Sequence, residues 1–122
     1  MAEAKFIERS GREILLIDVA HAELDGVVEV VRQAKELITG SGRHDVLTVT
    51  DVTGTHVTAS VVKVLKEFAV HNGAYVRAGA VVGLDRIRAI EFFAIVKFTG
   101  RNLRAFTDIE AATRWLLTQS GA

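Results

Sequence analysis

The feature that most narrows the folds open to this chain is an alternation repeated along its length. A short run of branched apolar residues is followed by a turn, then by a segment with apolar residues at helical spacing. Glu13 to Val19 (EILLIDV) is the first clear run, and from Leu24 the residues Leu24, Val27, Val28, Val31, Ala34 and Ile38 follow at helical intervals. Val46 to Val52 is a second strand-like run, with Leu47 and Val49 on one face and Thr48 and Thr50 on the other, which predicts that one sheet face is wetter. A helix opening at Thr58 or Ala59 would set Val61, Val64, Leu65 and Phe68 on one side, with Lys63, Lys66 and Glu67 facing water, and Asn72-Gly73 would stop it.

The pattern then recurs. Val76 to Leu84 reads as a core strand whose small residues let a helix approach, and Asp85 caps an expected helix from Arg86 to Phe98. Asn102 to Phe106 reads as a short strand. Thr107-Asp108-Ile109-Glu110 matches a capping box, with Thr107 as the cap of a last helix that ends in Trp115-Leu116-Leu117. Lys5 to Arg9 reads as an edge strand paired with Glu13 to Val19 across Ser10-Gly11-Arg12. The resulting order, β-β-α-β-α-β-α-β-α, predicts an α/β fold with a mixed, mostly parallel sheet of about five strands and four helices. Right-handed crossovers and one antiparallel edge follow from the same order.

Composition bounds the function. The 122 residues suit one domain spanning 1–122, and the absence of proline leaves no rigid linker to divide it. Fifteen basic and fifteen acidic side chains cancel, so no overall field concentrates nucleic acid or an anionic membrane. Without cysteine there is no disulfide, thiolate nucleophile or common zinc framework. The charged N-terminal stretch MAEAKFIERSGR lacks a signal-peptide core, and no apolar run approaches the ~20 residues of a membrane span, so the expected location is the cytoplasm.

In a parallel sheet the strand ends that feed helices share one rim, which here would collect His21, Asp51, Thr53, Thr55, His56, Thr58, Ser60 and Asp85. The stretch Leu47 to Ser60 (LTVTDVTGTHVTAS) is the densest part of that rim, with an acid, a histidine and several hydroxyls. These groups are read as a ligand- or partner-binding edge.

The order of elements and the C-terminal half, AVVGLDRIRAIEFFAIVKFTGRNLRAFTDIEAATRWL, resemble the SpoIIAA-like branch of the STAS fold. The likeness rests on a Val-Gly strand end, a Thr-Gly-Arg turn and a Phe-Thr-Asp-x-Glu-x-Ala-x-x-Trp-Leu ending. That group holds the anti-sigma-factor antagonists, many small bacterial proteins without assigned activity and, as structural relatives, the CRAL-TRIO lipid-binding domains. In the antagonists a serine in an Asp-Ser-Ser-Gly sequence, at the start of the helix after the third strand, is phosphorylated by a partner kinase. Alignment on Asp51 brings Ala59-Ser60-Val61-Val62 onto that motif, so the resemblance makes Ser60 the candidate phosphoacceptor, with Ala59 in place of the acid and Val62 in place of the glycine.

Chemistry beyond binding finds little support in the residues. Asp51, His56 and Ser60 invite a hydrolase triad, but no Gly-x-Ser-x-Gly elbow or oxyanion loop accompanies them. His21, His44, His56 and His71 show neither His-x-His nor His-Glu-x-x-His spacing, and no dinucleotide or phosphate loop is present, so no metal or cofactor is expected. Arg86, Arg88, Lys97, Arg101 and Arg104 read as a solvated basic face. Phe92, Phe93, Ile95 and Val96 cannot all face one sheet, which predicts a homodimer or partner contact there, or burial beneath the last helix and Trp115. The function expected is a non-catalytic, regulatory protein-interaction module. The alternative is a carrier or sensor of a small apolar ligand in the manner of the CRAL-TRIO relatives.

Overall fold

The computed structural model describes residues 2–85 and 102–119. Seven-residue strands β1 (Glu3–Arg9) and β2 (Arg12–Asp18) form an antiparallel hairpin with Arg9 opposite Arg12. Ser10 (φ 53°) and Gly11 (φ 77°) both lie in the left-handed region, which is the backbone of a type I′ turn, and its twist matches that of the strands it joins. The edge strand therefore begins two residues earlier than the sequence pattern suggested.

The remaining strands, β3 (Val46–Asp51), β4 (Val76–Val82) and β5 (Leu103–Phe106), are all parallel to β2, and the five strands lie in the order β1-β2-β3-β4-β5. Helix α1 (Leu24–Gly40) connects β2 to β3, and α2 (Ala59–His71) with a short 3₁₀ turn (Asn72–Ala74) connects β3 to β4. After β5 comes α3 (Ile109–Gln119). The described residues thus hold three α-helices rather than the four expected, and the expected helix from Arg86 to Phe98 lies outside them.

Strand alternation sorts the core into two clusters. Leu15, Ile17 and Val19 of β2 and its exit meet Val27, Val30, Val31, Ala34 and Ile38 of α1, and Val61 and Phe68 of α2 close the same layer. On the opposite face Ile14, Leu47, Val49, Ala78, Ala80 and Val82 pack against Ala112 and Leu116 of α3. Each of the larger side chains so buried contributes roughly 1.5–3 kcal/mol relative to exposure. Consecutive strand order with crossovers of one hand explains why α1 and α2 share a face.

Three local expectations need correction. Thr48 is only 5% exposed, so both faces of β3 are covered and its Thr–Val alternation does not mark a wet side. On α1 the core stripe takes Val30 and leaves Leu24 and Val28 exposed, because Val28 lies one residue, or about 100°, from Val27 while 27, 30, 31, 34 and 38 follow the helical period. At α3 the cap is Asp108, whose Oδ1 accepts from the Ala111 amide at 2.8 Å, not Thr107; the helix starts one residue later than the capping-box match implied. Helix α2 opens at Ala59, one of the two starts expected, and Thr58 caps it, its Oγ1 accepting from the Val61 amide at 3.2 Å.

Candidate functional site

The carboxyl ends of β2, β3 and β4 are tied into one rim by backbone hydrogen bonds that continue beyond the strands. The Val19 amide donates to the Asp51 carbonyl at 3.0 Å, the Val52 amide to the Val82 carbonyl at 2.9 Å and the His21 amide to the Thr53 carbonyl at 2.8 Å. Two glycines make this closeness feasible. Gly54 (φ +64°) lies against the His21 imidazole, and Gly83 (φ +92°) lies against the backbone of Thr53. His21 itself has φ 60°, an uncommon conformation for a residue with a Cβ, held here by its bond to Thr53. His21, Thr53 and the end of β4 leading to Asp85 therefore meet at one border, as the strand order required.

Within that border the polar groups divide into two sets. Asp51 Oδ1 accepts from the Thr53 amide at 2.9 Å and from Thr53 Oγ1 at 2.6 Å, so the carboxylate fastens its own loop. Thr55 Oγ1 donates to the Val19 carbonyl at 2.8 Å, pinning the β3–α2 loop onto the neighbouring β2–α1 loop. The His56 amide adds a bond to the Ala22 carbonyl at 3.0 Å. The side chains of His21, His56 and Ser60 are exposed, with Ser60 in the first turn of α2, and Asp85 is exposed at the end of the described segment. Among the described residues no hydrogen bond joins His56 to Asp51 or Ser60, so the three are not arranged as a triad. No group of three histidine or acidic residues among the described residues could hold a metal ion.

The strand order adds a constraint on shape. Open α/β sheets form a ligand crevice where the strand order reverses, and here the order runs from β1 to β5 without reversal. Among the described residues the rim thus lacks the crevice that a reversal of strand order would create. A cavity of about 420 Å³ lies at the opposite, amino end of the strands, lined by Gly11, Arg12, Glu13, Arg43, Asp45 and Leu47. There Arg43 Nε donates to Asp45 Oδ1 at 3.0 Å and Nη1 lies 3.5 Å from Glu13 Oε1. The Arg43 hydrogen bond is the main reason the Asp45 carboxyl is held below its ordinary range, with the charges of Arg43 and Arg77 adding to it.

The same end carries an aromatic group that sequence spacing did not reveal. The Tyr75 ring stacks with both His44 and His71 at centroid distances of 5.8 and 5.7 Å, and His44 Nδ1 lies 2.8 Å from the Ala74 carbonyl. The four histidines are thus split between the two ends of the sheet, and the only available signal was that His44 precedes β3 while His71 closes α2. Of the basic face expected around the third helix, Arg104 is described and lies over the Trp115 ring at 5.8 Å, a ring that also packs on Phe106. Arg86, Arg88, Lys97 and Arg101, with the expected interface residues Phe92, Phe93, Ile95 and Val96, lie outside the described residues. No helix among the described residues is long and apolar enough to cross a membrane.

No family model and no curated protein matches the chain. Among solved structures it is similar to an uncharacterized protein of the DUF3478 family with a SpoIIAA-like fold, from Shewanella loihica PV-4. The two agree with a TM-score of 0.74 over 95% of each chain at 12% sequence identity. Agreement over nearly the full length at so low an identity speaks to architecture, and the observed strand order and helix placement follow it: the chain has a SpoIIAA-like fold of the STAS type.

Proposed function

We propose that this chain is a non-catalytic, regulatory protein-interaction module whose contact surface is the carboxyl-end rim. One observation carries the reading. The groups nearest to a reactive set are occupied, Asp51 in fastening its own loop and Thr55 in pinning that loop to its neighbour, while the His21, His56 and Ser60 side chains on the same border are exposed and no reversal of strand order among the described residues opens a crevice between them. A surface of that kind suits another macromolecule better than a small substrate, which usually needs a concave, largely apolar site. The cavity at the amino end is lined mostly by charged side chains, which disfavours an apolar ligand at that place.

Ser60 is the residue through which such a module would be switched. A phosphate in the first turn of α2 meets free backbone amides and the positive end of the helix dipole. The test is capture of partners by the tagged full chain from its native host, compared with a His21→Ala/His56→Ala variant and with Ser60→Asp. Recovery of defined proteins that the rim variants lose would support the proposal. Unchanged capture by those variants, or turnover of a metabolite by the purified chain, would overturn it.

A further inference from the structure

Strand β1 stands at one end of the sheet, so among the described residues one side of its backbone has no neighbouring strand. The hairpin determines which groups face that side. With Arg9 opposite Arg12 across a two-residue turn, Glu3, Lys5, Ile7 and Arg9 bond to β2, and Ala4, Phe6 and Glu8 direct their amides and carbonyls outward. Two contacts agree with that phase. The Ala4 amide donates to Gln33 Oε1 at 3.3 Å, and Arg9 Nη1 donates to the Glu8 carbonyl at 2.8 Å. Between them, among the described residues, the outward amide and carbonyl of Phe6 meet no protein partner. The edge is seven residues long, without proline or a register shift, which makes it a template for strand addition.

The charge pattern selects what can add. An antiparallel second copy of β1 must align outward residues with outward residues. The register that overlaps the whole strand sets Phe6 opposite Phe6, Ala4 opposite Glu8, Lys5 opposite Ile7, and Glu3 opposite Arg9 at both ends. Sliding by one step places Lys5 opposite Lys5 in one direction and Lys5 opposite Arg9 in the other, and like charges directly across a strand pair repel. In the full register the Ala4 amide would bond to the Glu8 carbonyl of the second copy. Those are the same two groups now covered by Gln33 and Arg9, so the side chains stand where the second strand's groups would go. Arg9, once released, faces a Glu3 that already holds Lys5 Nζ at 3.0 Å.

We propose that the outer edge of β1 pairs with the same edge of a second copy of this chain, in an antiparallel seam centred on Phe6. One strand pair and its flanking charges make a contact smaller than a standard interface, so the dimer is weak and reversible. The seam is independent of the carboxyl-end rim: a chain that self-associates here but captures no other protein keeps this inference and loses the preceding proposal. The experiment is sedimentation equilibrium of the full chain at low salt, from micromolar to millimolar concentration. The apparent mass is expected to rise from 13.3 kDa toward twice that value. Glu3→Arg or Arg9→Glu alone should lower the association constant about tenfold, and the double variant should restore it to within about twofold. Circular dichroism checks that each of these surface variants is folded. A chain that stays monomeric throughout, a dimer indifferent to either single substitution, or a double variant as weak as the singles would each overturn the proposal.

Discussion

Gly83→Ala should lower folding stability by roughly 2–3 kcal/mol, although it adds a single methyl group at a strand end. Gly83 has φ +92°, where an L-residue is disfavoured by roughly 1–2 kcal/mol. A Cβ there would sit 2.7 Å from the Thr53 amide nitrogen and 2.8 Å from its Cα, against the ~3.5–4.0 Å of ordinary packing. The obstacle is backbone, and it is held from both sides: Asp51 Oδ1 accepts from the Thr53 amide, and the Thr53 carbonyl accepts from His21. Relief therefore costs at least one of these hydrogen bonds, about 1 kcal/mol each. Urea unfolding followed by far-UV circular dichroism, with an unchanged slope, measures the sum, and thermal unfolding should fall by roughly 10 °C. Thr53→Ala removes the nearby hydroxyl but leaves the backbone, so it should rescue little of the loss. A Gly83→Ala variant within about 0.5 kcal/mol of the parent, or one fully rescued by Thr53→Ala, would refute the reasoning.

Gly54→Ala meets a side chain instead, with the added Cβ 2.5 Å from His21 Cε1, so it should cost about 1–2 kcal/mol from its positive φ and the displaced ring. A double-mutant cycle with His21→Ala should show a coupling of at least about 0.5 kcal/mol, and strict additivity would mean that the ring is not the obstacle. Asp108→Ala should cost about 1 kcal/mol while Thr107→Ala stays within about 0.5 kcal/mol, and chemical denaturation of the two variants decides which residue caps α3. The Asp45 carboxyl is held below its ordinary value of 3.8, so its pairing with Arg43 stabilises the fold above that value and is lost as pH falls through the lower folded one. Asp45→Asn should therefore flatten the acid limb of the stability–pH profile below about pH 4, by only a few tenths of a kcal/mol because the pair is exposed, and an unchanged acid limb would count against it.

Much of the candidate rim could be read from residue order because its placement depends on connectivity alone. Each of His21, Asp51, Thr53 and Asp85 ends or follows a strand that feeds a crossover, and parallel strands put such exits on one edge. The division of labour among them could not be read that way. Whether Asp51 faces His56 or its own Thr53 depends on a turn of two residues, and the Asx-type bonds there win because they close locally at little entropic cost. The amino-end features were invisible for the complementary reason. Arg43 and Glu13 are thirty residues apart, and His44, His71 and Tyr75 meet only because β3 and β4 start side by side.

By itself, then, the order of residues determined which of the described segments are strands and helices and that the sheet is mostly parallel, because backbone periodicity and crossover handedness are local or nearly local properties. Tertiary structure decided which apolar residues are core, as with Val30 over Val28, and that both faces of β3 are covered. It also decided that the five strands lie side by side in chain order, which sets the hydroxyl-rich exits of β2, β3 and β4 next to one another. Those outcomes depend on which elements are packed against each other, and the pattern of any single element carries no record of its neighbours.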